Sequence, residues 1–206
     1  MRSGHVGLRP LTLRDASRWA DLRRENTSWL GEWESSRPPS TSGGGGSGGS
    51  GGGKVGYRSL IRDLRRQARR ERALPFVITY HGLMVGQLTV TGITRGSAQW
   101  AQIGYWIAES HAGRGITPVA VALAGDHCFS ALGLHRLEIA IRPENVASLR
   151  IVDKLGFSHV GPAPRYLHIN GEWRDHLLFA LTAEDVPEGM LARLLSRNPG
   201  ETPPGR

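Results

Sequence analysis

Between Ile103 and Pro118 the chain changes character twice. Ile103-Gly104-Tyr105-Trp106-Ile107-Ala108 is an apolar, strand-forming run; after a short polar loop come Ala112-Gly113-Arg114-Gly115-Ile116-Thr117-Pro118 and an apolar helix pattern. A strand, a glycine turn and a helix in this order restrict the chain to folds in which a helix starts beside the end of a sheet strand. Thr117 is a favourable N-cap, and Pro118 suits the first helical position, where its missing N–H would have no intrahelical partner. Gly113 and Gly115 let the main chain approach a ligand closely, and the helix start adds partial positive charge. The stretch therefore predicts an anion cradle suited to a diphosphate, with no Walker-type lysine. A tight turn without a ligand would use the same two glycines.

The remaining segments build a sheet around this one. Val6 to Leu13 alternates as a half-buried strand, and Asp15 is an N-cap candidate before a helix carrying Ala16, Trp19, Ala20 and Leu22. Trp29 and Trp33, four apart, share a helical face before Arg37-Pro38-Pro39 stops any helix. Strands are expected at Phe76–His81, Met84–Thr91 and Trp100–Ala108, then a helix over Pro118–Leu132 and a strand over Arg136–Arg142. A helix over Val146–Leu155, strands near Phe157–Ile169 and Trp173–Leu181, and a last short helix follow. Helices between late strands imply an α/β architecture with a mixed, mostly antiparallel sheet of about six to seven strands.

Composition bears on organisation, redox and metal chemistry, location and partners. The run Ser42 to Gly53 holds about a third of the chain's 28 glycines and has nothing to bury, so an insert over about 35–56, native or engineered, is expected to be flexible within one domain spanning 1–197. Lys54 after these glycines imitates a phosphate loop, but Val55 brings no hydroxyl and no strand precedes it. The proline- and glycine-rich end, 198–206, is expected to fray. A single cysteine, Cys128, excludes an internal disulfide or a CxxC zinc pair, and the eight histidines form no HExxH, so no metal site is expected. No apolar run approaches the roughly 20 residues that span a bilayer, and no signal-peptide pattern opens the chain, which predicts a cytoplasmic protein without a membrane partner. The formal charge of +8 favours polyanions. Much of it sits at 57–72, where Tyr57, Leu60, Ile61, Leu64 and Ala68 form an apolar face and Arg58, Arg62, Arg65, Arg66, Arg69 and Arg70 spread around the others. Either the arginine stems cover the core at a solvated surface, or the helix docks a polyanion.

The glycine loop together with two later blocks resembles the GNAT superfamily of acetyl-CoA-dependent N-acetyltransferases. Gly115 matches the central glycine of that family's Gln/Arg-x-x-Gly-x-Gly/Ala signature, with Ala112 and Thr117 departing from the flanking positions. The block Leu134-His135-Arg136-Leu137-Glu138-Ile139, Arg142-Pro143-Glu144-Asn145, Ser148 and Leu155-Gly156-Phe157 is similar to the family's late strand, Asn-x-x-Ser helix and Leu-Gly-Phe. Arg165 to His176 and Leu8 to Ala16 resemble the RimJ branch, the ribosomal-protein-alanine N-acetyltransferases.

The resemblance implies a GNAT fold and direct acetyl transfer from acetyl-CoA to an amine. The acceptor it implies is the N-terminal α-amine of a ribosomal or other protein. It places acetyl-CoA against Trp106, Ile107, Ala108, Ala112, Gly113, Arg114, Gly115, Ile116, Thr117 and Asn145, with Ser148 as proton donor to the departing thiolate. The tyrosine that many members use is absent, since Val152 and Asp153 stand at its positions. Glu138 is either the general base or a surface carboxylate, because alternation alone does not fix its face; Glu109 is a weaker base candidate. Asn145 could equally be a helix N-cap. Tyr166, His168 and His176, on the last strands, are read as packing residues, and Cys128 as helix core. Acceptance of a small amine such as an aminoglycoside, or a weakly catalytic acyl-CoA-binding role at the ribosome, are the alternatives. A weak ribosome or RNA contact through helix 57–72 and a monomeric or homodimeric state complete the expectations.

Overall fold

The computed structural model describes residues 1–36, 38 and 54–197; the run 42–53 and the end 198–206, expected to be flexible, lie outside them. Eight strands form one sheet: β1 (Arg2–Ser3), β2 (Val6–Pro10), β3 (Ala73–Tyr80), β4 (Leu83–Thr94), β5 (Trp100–Ile107), β6 (Arg136–Ile141), β7 (Ser158–Ile169) and β8 (Glu172–Thr182). Their order is β1-β2-β3-β4-β5-β6-β8-β7. The two-residue β1 raises the count above the expected six to seven, being too short to show a period. Every neighbouring pair is antiparallel except β5 and β6, which the crossover helix makes parallel.

Among the described residues six helices accompany the sheet: α1 (Ala16–Glu25), α2 (Thr27–Gly31), α3 (Lys54–Arg69), α4 (Ile116–Ser130), α5 (Val146–Leu155) and α6 (Met190–Arg197). Within the expected insert 35–56, Lys54 to Gly56 belong to α3 and Ser35 bridges Ile169. One sheet face buries Leu8, Ile78, Leu88, Ile103, Leu137 and Ile139 against α4, α5 and α6. The other packs Trp19 and Leu22 of α1 and Ile61 of α3 against Val77 and Met84. Helix α4, buried along most of its length, carries Cys128 fully inside, as expected. Burial pushes that thiol's pKa up to about 12, leaving almost no thiolate for chemistry.

Alternation is clean on β6, where Leu137, Ile139 and Ile141 enter the core and Arg136, Glu138 and Ala140 face the other way. Helix α5 ends as its Leu-Gly-Phe implies: Gly156 adopts φ 74°, a left-handed cap open to glycine at low cost, and its N–H returns to the Asp153 carbonyl. Among the described residues no helix is long and apolar enough to cross a membrane.

Candidate functional site

Strands β5 and β6 share register over only three pairs, Trp100↔Arg136, Ala101↔Leu137 and Gln102↔Glu138. Beyond them β5 stays with β4 as far as Gly86↔Ile107, while β6 stays with β8 as far as Ile141↔Leu177. The sheet therefore opens like a V, leaving the Ile103–Ile107 edge without a strand neighbour on that side. The cleft measures about 140 Å³. Ile103, Gly104 and Tyr105 form one wall and Ile139, Ala140 and Ile141 the other. Arg142, Asn145 and Ser148 close one end, and Trp33, Ile169 and His176 complete the lining.

At the upper end of β5 a 3-10 turn, Glu109–His111, leads into the glycine loop. The helix begins two residues before the expected position. Gly115, at φ 73° and ψ 1°, is the N-cap of α4, and Thr117 and Pro118 lie inside its first turn. A positive φ that glycine adopts freely outweighs the side-chain preference of Thr117 for the cap. Pro118 still sits among the amides that lack an intrahelical acceptor. Gly113 has φ 74°, and a Cβ at either glycine would meet open space. The Gly113, Arg114 and Gly115 amides make no hydrogen bond among the described residues, whereas the Ala112 amide is taken by the Glu109 carbonyl at 3.0 Å. Ala112 thus shapes the loop but has no free N–H to offer. Burial, with Arg114 and Arg18 nearby, holds the pKa of His111 below its usual value, which marks this end as electropositive. Free amides, open space in front of the two glycines and positive charge fit the diphosphate of a coenzyme A ester.

The strand end is partly committed elsewhere. Trp106 faces away from the cleft, packed edge-on against Trp19 with Arg23 over its ring. The Ile107 carbonyl accepts the Trp29 indole N–H at 3.1 Å, and the Ala108 amide donates to Val85 at 2.8 Å. On α5, Asn145 is an N-cap: its Oδ1 accepts the Ser148 amide at 3.0 Å, which leaves its Nδ2 without a partner among the described residues. Ser148 is brought into the cleft beside it.

Tyr105 is the residue that sequence reasoning passed over. Its hydroxyl oxygen is shut from solvent and forms no well-aligned hydrogen bond. Burial pushes the phenol up to about 12, against a smaller opposing pull from the Ser148 hydroxyl, which lies beside it without full hydrogen-bond alignment. Alternation separates Tyr105 from Trp106, but only the α5 register reveals that it meets Ser148.

The carboxylates lie outside. Glu138 is held by Arg136 at 2.7 Å and does not line the cleft. Glu109 is exposed, its amide accepted by Asn26 Oδ1 at 2.8 Å. His176 is in the lining and only 4% exposed. Tyr166 stands behind it, accepting from Gln102 Nε2 at 2.8 Å, while His168 bonds Ser36 Oγ at 2.9 Å and so anchors residues 34–36 along the end of β7. Arg142 spans the opening: it donates to the Glu32 carbonyl at 2.8 Å, pairs with Glu144 at 3.1 Å and lies over the Trp33 ring. Among the described residues no group of His, Cys, Asp or Glu could hold a metal ion.

Comparison with known proteins agrees with this geometry. Residues 5–158 match the acetyltransferase (GNAT) domain family. The [ribosomal protein uS5]-alanine N-acetyltransferase of Escherichia coli is 30% identical over 183 residues, which is 85% of this chain and 87% of that protein. The structure of Mycobacterium smegmatis RimJ in complex with CoA-disulfide superposes with a TM-score of 0.86 at 40% identity, covering 95% of this chain and 90% of that one. The ribosomal-protein-S5-alanine acetyltransferase of Vibrio fischeri superposes with a TM-score of 0.77 at 27% identity, covering 90% and 97%. With the V-shaped opening, the glycine loop and the Asn-x-x-Ser helix in place, the chain belongs to the GNAT acetyltransferase family and is related to its ribosomal-protein-alanine N-acetyltransferases.

Proposed function

We propose that residues 1–197 act as one catalytic domain that moves an acetyl group from acetyl-CoA directly to the N-terminal α-amine of a protein, a ribosomal protein foremost. The observation that carries this reading is the row of unbonded amides at Gly113, Arg114 and Gly115 at the mouth of the β5–β6 opening. Acetyl-CoA supplies a thioester whose acyl carbon accepts the amine. The loop amides and Arg114 hold its diphosphate, and Asn145 Nδ2 and the free edge of β5 hold its arm. Ser148 is the proton donor for sulfur, with the Tyr105 hydroxyl behind it.

The acceptor is chosen by charge and reach. The cleft lining contains Arg142 and no carboxylate, so a polycation such as an aminoglycoside finds no counter-charge there, whereas a single terminal amine needs none. An α-amine, with a pKa of about 7.7–8.0 against about 10.4 for lysine, also offers more of its neutral form near pH 7. Arg58, Arg62, Arg65 and Arg69 recur along α3 at helical spacing with no ion pair among the described residues, Arg66 alone pairing with Asp63. This stripe supports contact with the RNA of a ribosomal particle carrying the acceptor.

The test is thiol release and product mass with acetyl-CoA and peptides differing in their first residue. The same peptides with blocked N-termini and internal lysines, spermidine and an aminoglycoside serve as comparators. The expected product is acetylated at the terminal nitrogen. Acetylation of the polyamine or aminoglycoside alone would replace this reading, as would binding of acetyl-CoA with no transfer to any amine.

A further inference from the structure

Across the opening from Ser148, β8 carries a histidine whose surroundings fix more than its position. His176 Nδ1 lies 3.0 Å from the Arg174 carbonyl oxygen. A carbonyl only accepts, so the neutral ring carries its hydrogen on Nδ1 and presents Nε2 as a lone pair. Nε2 has no hydrogen-bond partner among the described residues, although the side chain is nearly buried and lines the cleft. The Tyr166 ring stands edge-on at 5.9 Å and supports the imidazole from β7. Burial keeps the pKa below its usual value of 6.5, and Arg142, reaching from the end of β6, lowers it further. The Arg174 carbonyl, Glu144 and Asp175 pull the other way without reversing the shift.

We propose that His176 Nε2 is the base that takes the proton from the acceptor amine. The proposal rests on the acetyltransferase reading above and deepens it. As the amine nitrogen bonds to the acyl carbon and the carbon–sulfur bond breaks, one proton passes from nitrogen to Nε2, and sulfur receives one from the Ser148 hydroxyl. His176 then yields its proton to water, and Ser148 regains one from water. A nitrogen that has added to a carbonyl is far more acidic than the free amine, so a base of modest strength suffices if it is neutral and aimed. With its pKa lowered, His176 is neutral at pH 7, and it lines the cleft. Glu138, the carboxylate singled out from the sequence, is neutralised by Arg136 outside the lining.

The informative variant is His176→Asn, whose side-chain amide can keep the hydrogen bond to the Arg174 carbonyl while removing Nε2. The expected result is a kcat lower by about 10²–10⁴-fold, the range of a single general base, with acetyl-CoA affinity by calorimetry within about twofold. Beyond the ionisation of the acceptor amine itself at about 7.7–8.0, the wild-type kcat/KM profile should show a further acid limb below pH 6.5, and the variant should lose that limb. Independently of turnover, long-range nitrogen–proton NMR of the free wild-type protein should show Nε2 unprotonated at pH 7 and the ring titrating below 6.5; this readout stands even if the variant does not fold. A hydrogen on Nε2, a titration at or above 6.5, or a variant that keeps both turnover and the acid limb overturns the role of His176 and leaves the acetyltransferase reading intact. Failure of the folded wild-type protein to bind acetyl-CoA overturns both.

Discussion

A phenol shut from solvent without a full hydrogen bond costs stability, on the order of 1–3 kcal/mol for an unsatisfied buried polar group. Tyr105 is in that position, with a core on one side of its ring and Ser148 beside its hydroxyl. Phenylalanine would fill the same space and remove the unmet group, so the strain has an alternative that a purely structural site would favour. Tyr105→Phe is therefore expected to leave the melting temperature unchanged or raised by a few degrees. It should lower kcat about tenfold or more if, as proposed, the hydroxyl beside Ser148, unaligned in the free protein, closes onto it in the complex. Ser148→Ala, which removes the proposed donor itself, sets the scale of that loss, and both variants should bind acetyl-CoA normally. Thermal melts and steady-state kinetics on the three proteins decide it: a stability loss with unchanged kcat in Tyr105→Phe would make the hydroxyl structural. The expected outcome sets site against stability at this residue, as is common where a protein holds a reactive arrangement.

At the scale of the element, the loop before α4 works through backbone shape rather than side chains. Gly115 has φ 73° and open space where a Cβ would go, so Gly115→Ala meets no neighbour in the protein and its penalty is conformational, about 1–2 kcal/mol for a left-handed alanine. The same Cβ would occupy open space at the loop that carries the free amides. Acetyl-CoA should then bind at least tenfold more weakly by calorimetry, while the circular dichroism spectrum stays that of the wild type. Equal affinity in a folded Gly115→Ala protein would separate the loop from the cofactor. Strand β6, helix α5 and its Asn145 N-cap were legible to within a residue, since alternation, helical period and N-capping are local properties. The exact start of α4 was not, because the choice between Gly115 and Thr117 depends on a dihedral angle rather than on composition. Tyr105 and His176 were hidden for a further reason: what each side chain meets is set by where β5 separates from β6, a matter of pairing between distant segments. Glu138 shows the converse, a carboxylate whose strand was correctly read but whose partner, Arg136, lies two residues away on the same face.

For the whole molecule, charge is divided from chemistry. Helix α3 covers β3 alongside α1, so its arginines lie over a part of the sheet two strands from β5. Arg58, Arg62, Arg65 and Arg69 climb one flank at intervals of three and four residues, about 4.5–6 Å of rise each, close to the spacing of successive phosphates along a nucleic-acid strand. Of these, Arg58, Arg62 and Arg69 are exposed and Arg65 is half-buried. If the stripe only shielded the core, exchanging its guanidinium groups for neutral amides would change little beyond solubility. If it grips RNA, the cost should appear solely when the acceptor sits in its particle. Replacing all four arginines by glutamine is accordingly expected to leave turnover of a free N-terminal peptide within about twofold, because none of them lines the cleft. Acetylation of the same terminus within a ribosomal particle should fall steeply. Wild-type binding to ribosomal RNA should weaken linearly in log–log salt plots, and the fourfold variant should have a slope smaller by about 3–4, each lost phosphate contact contributing roughly 0.7–0.9. An unchanged slope would assign the arginines to solvation of the surface, and loss of free-peptide turnover would instead tie α3 to the shape of the cleft.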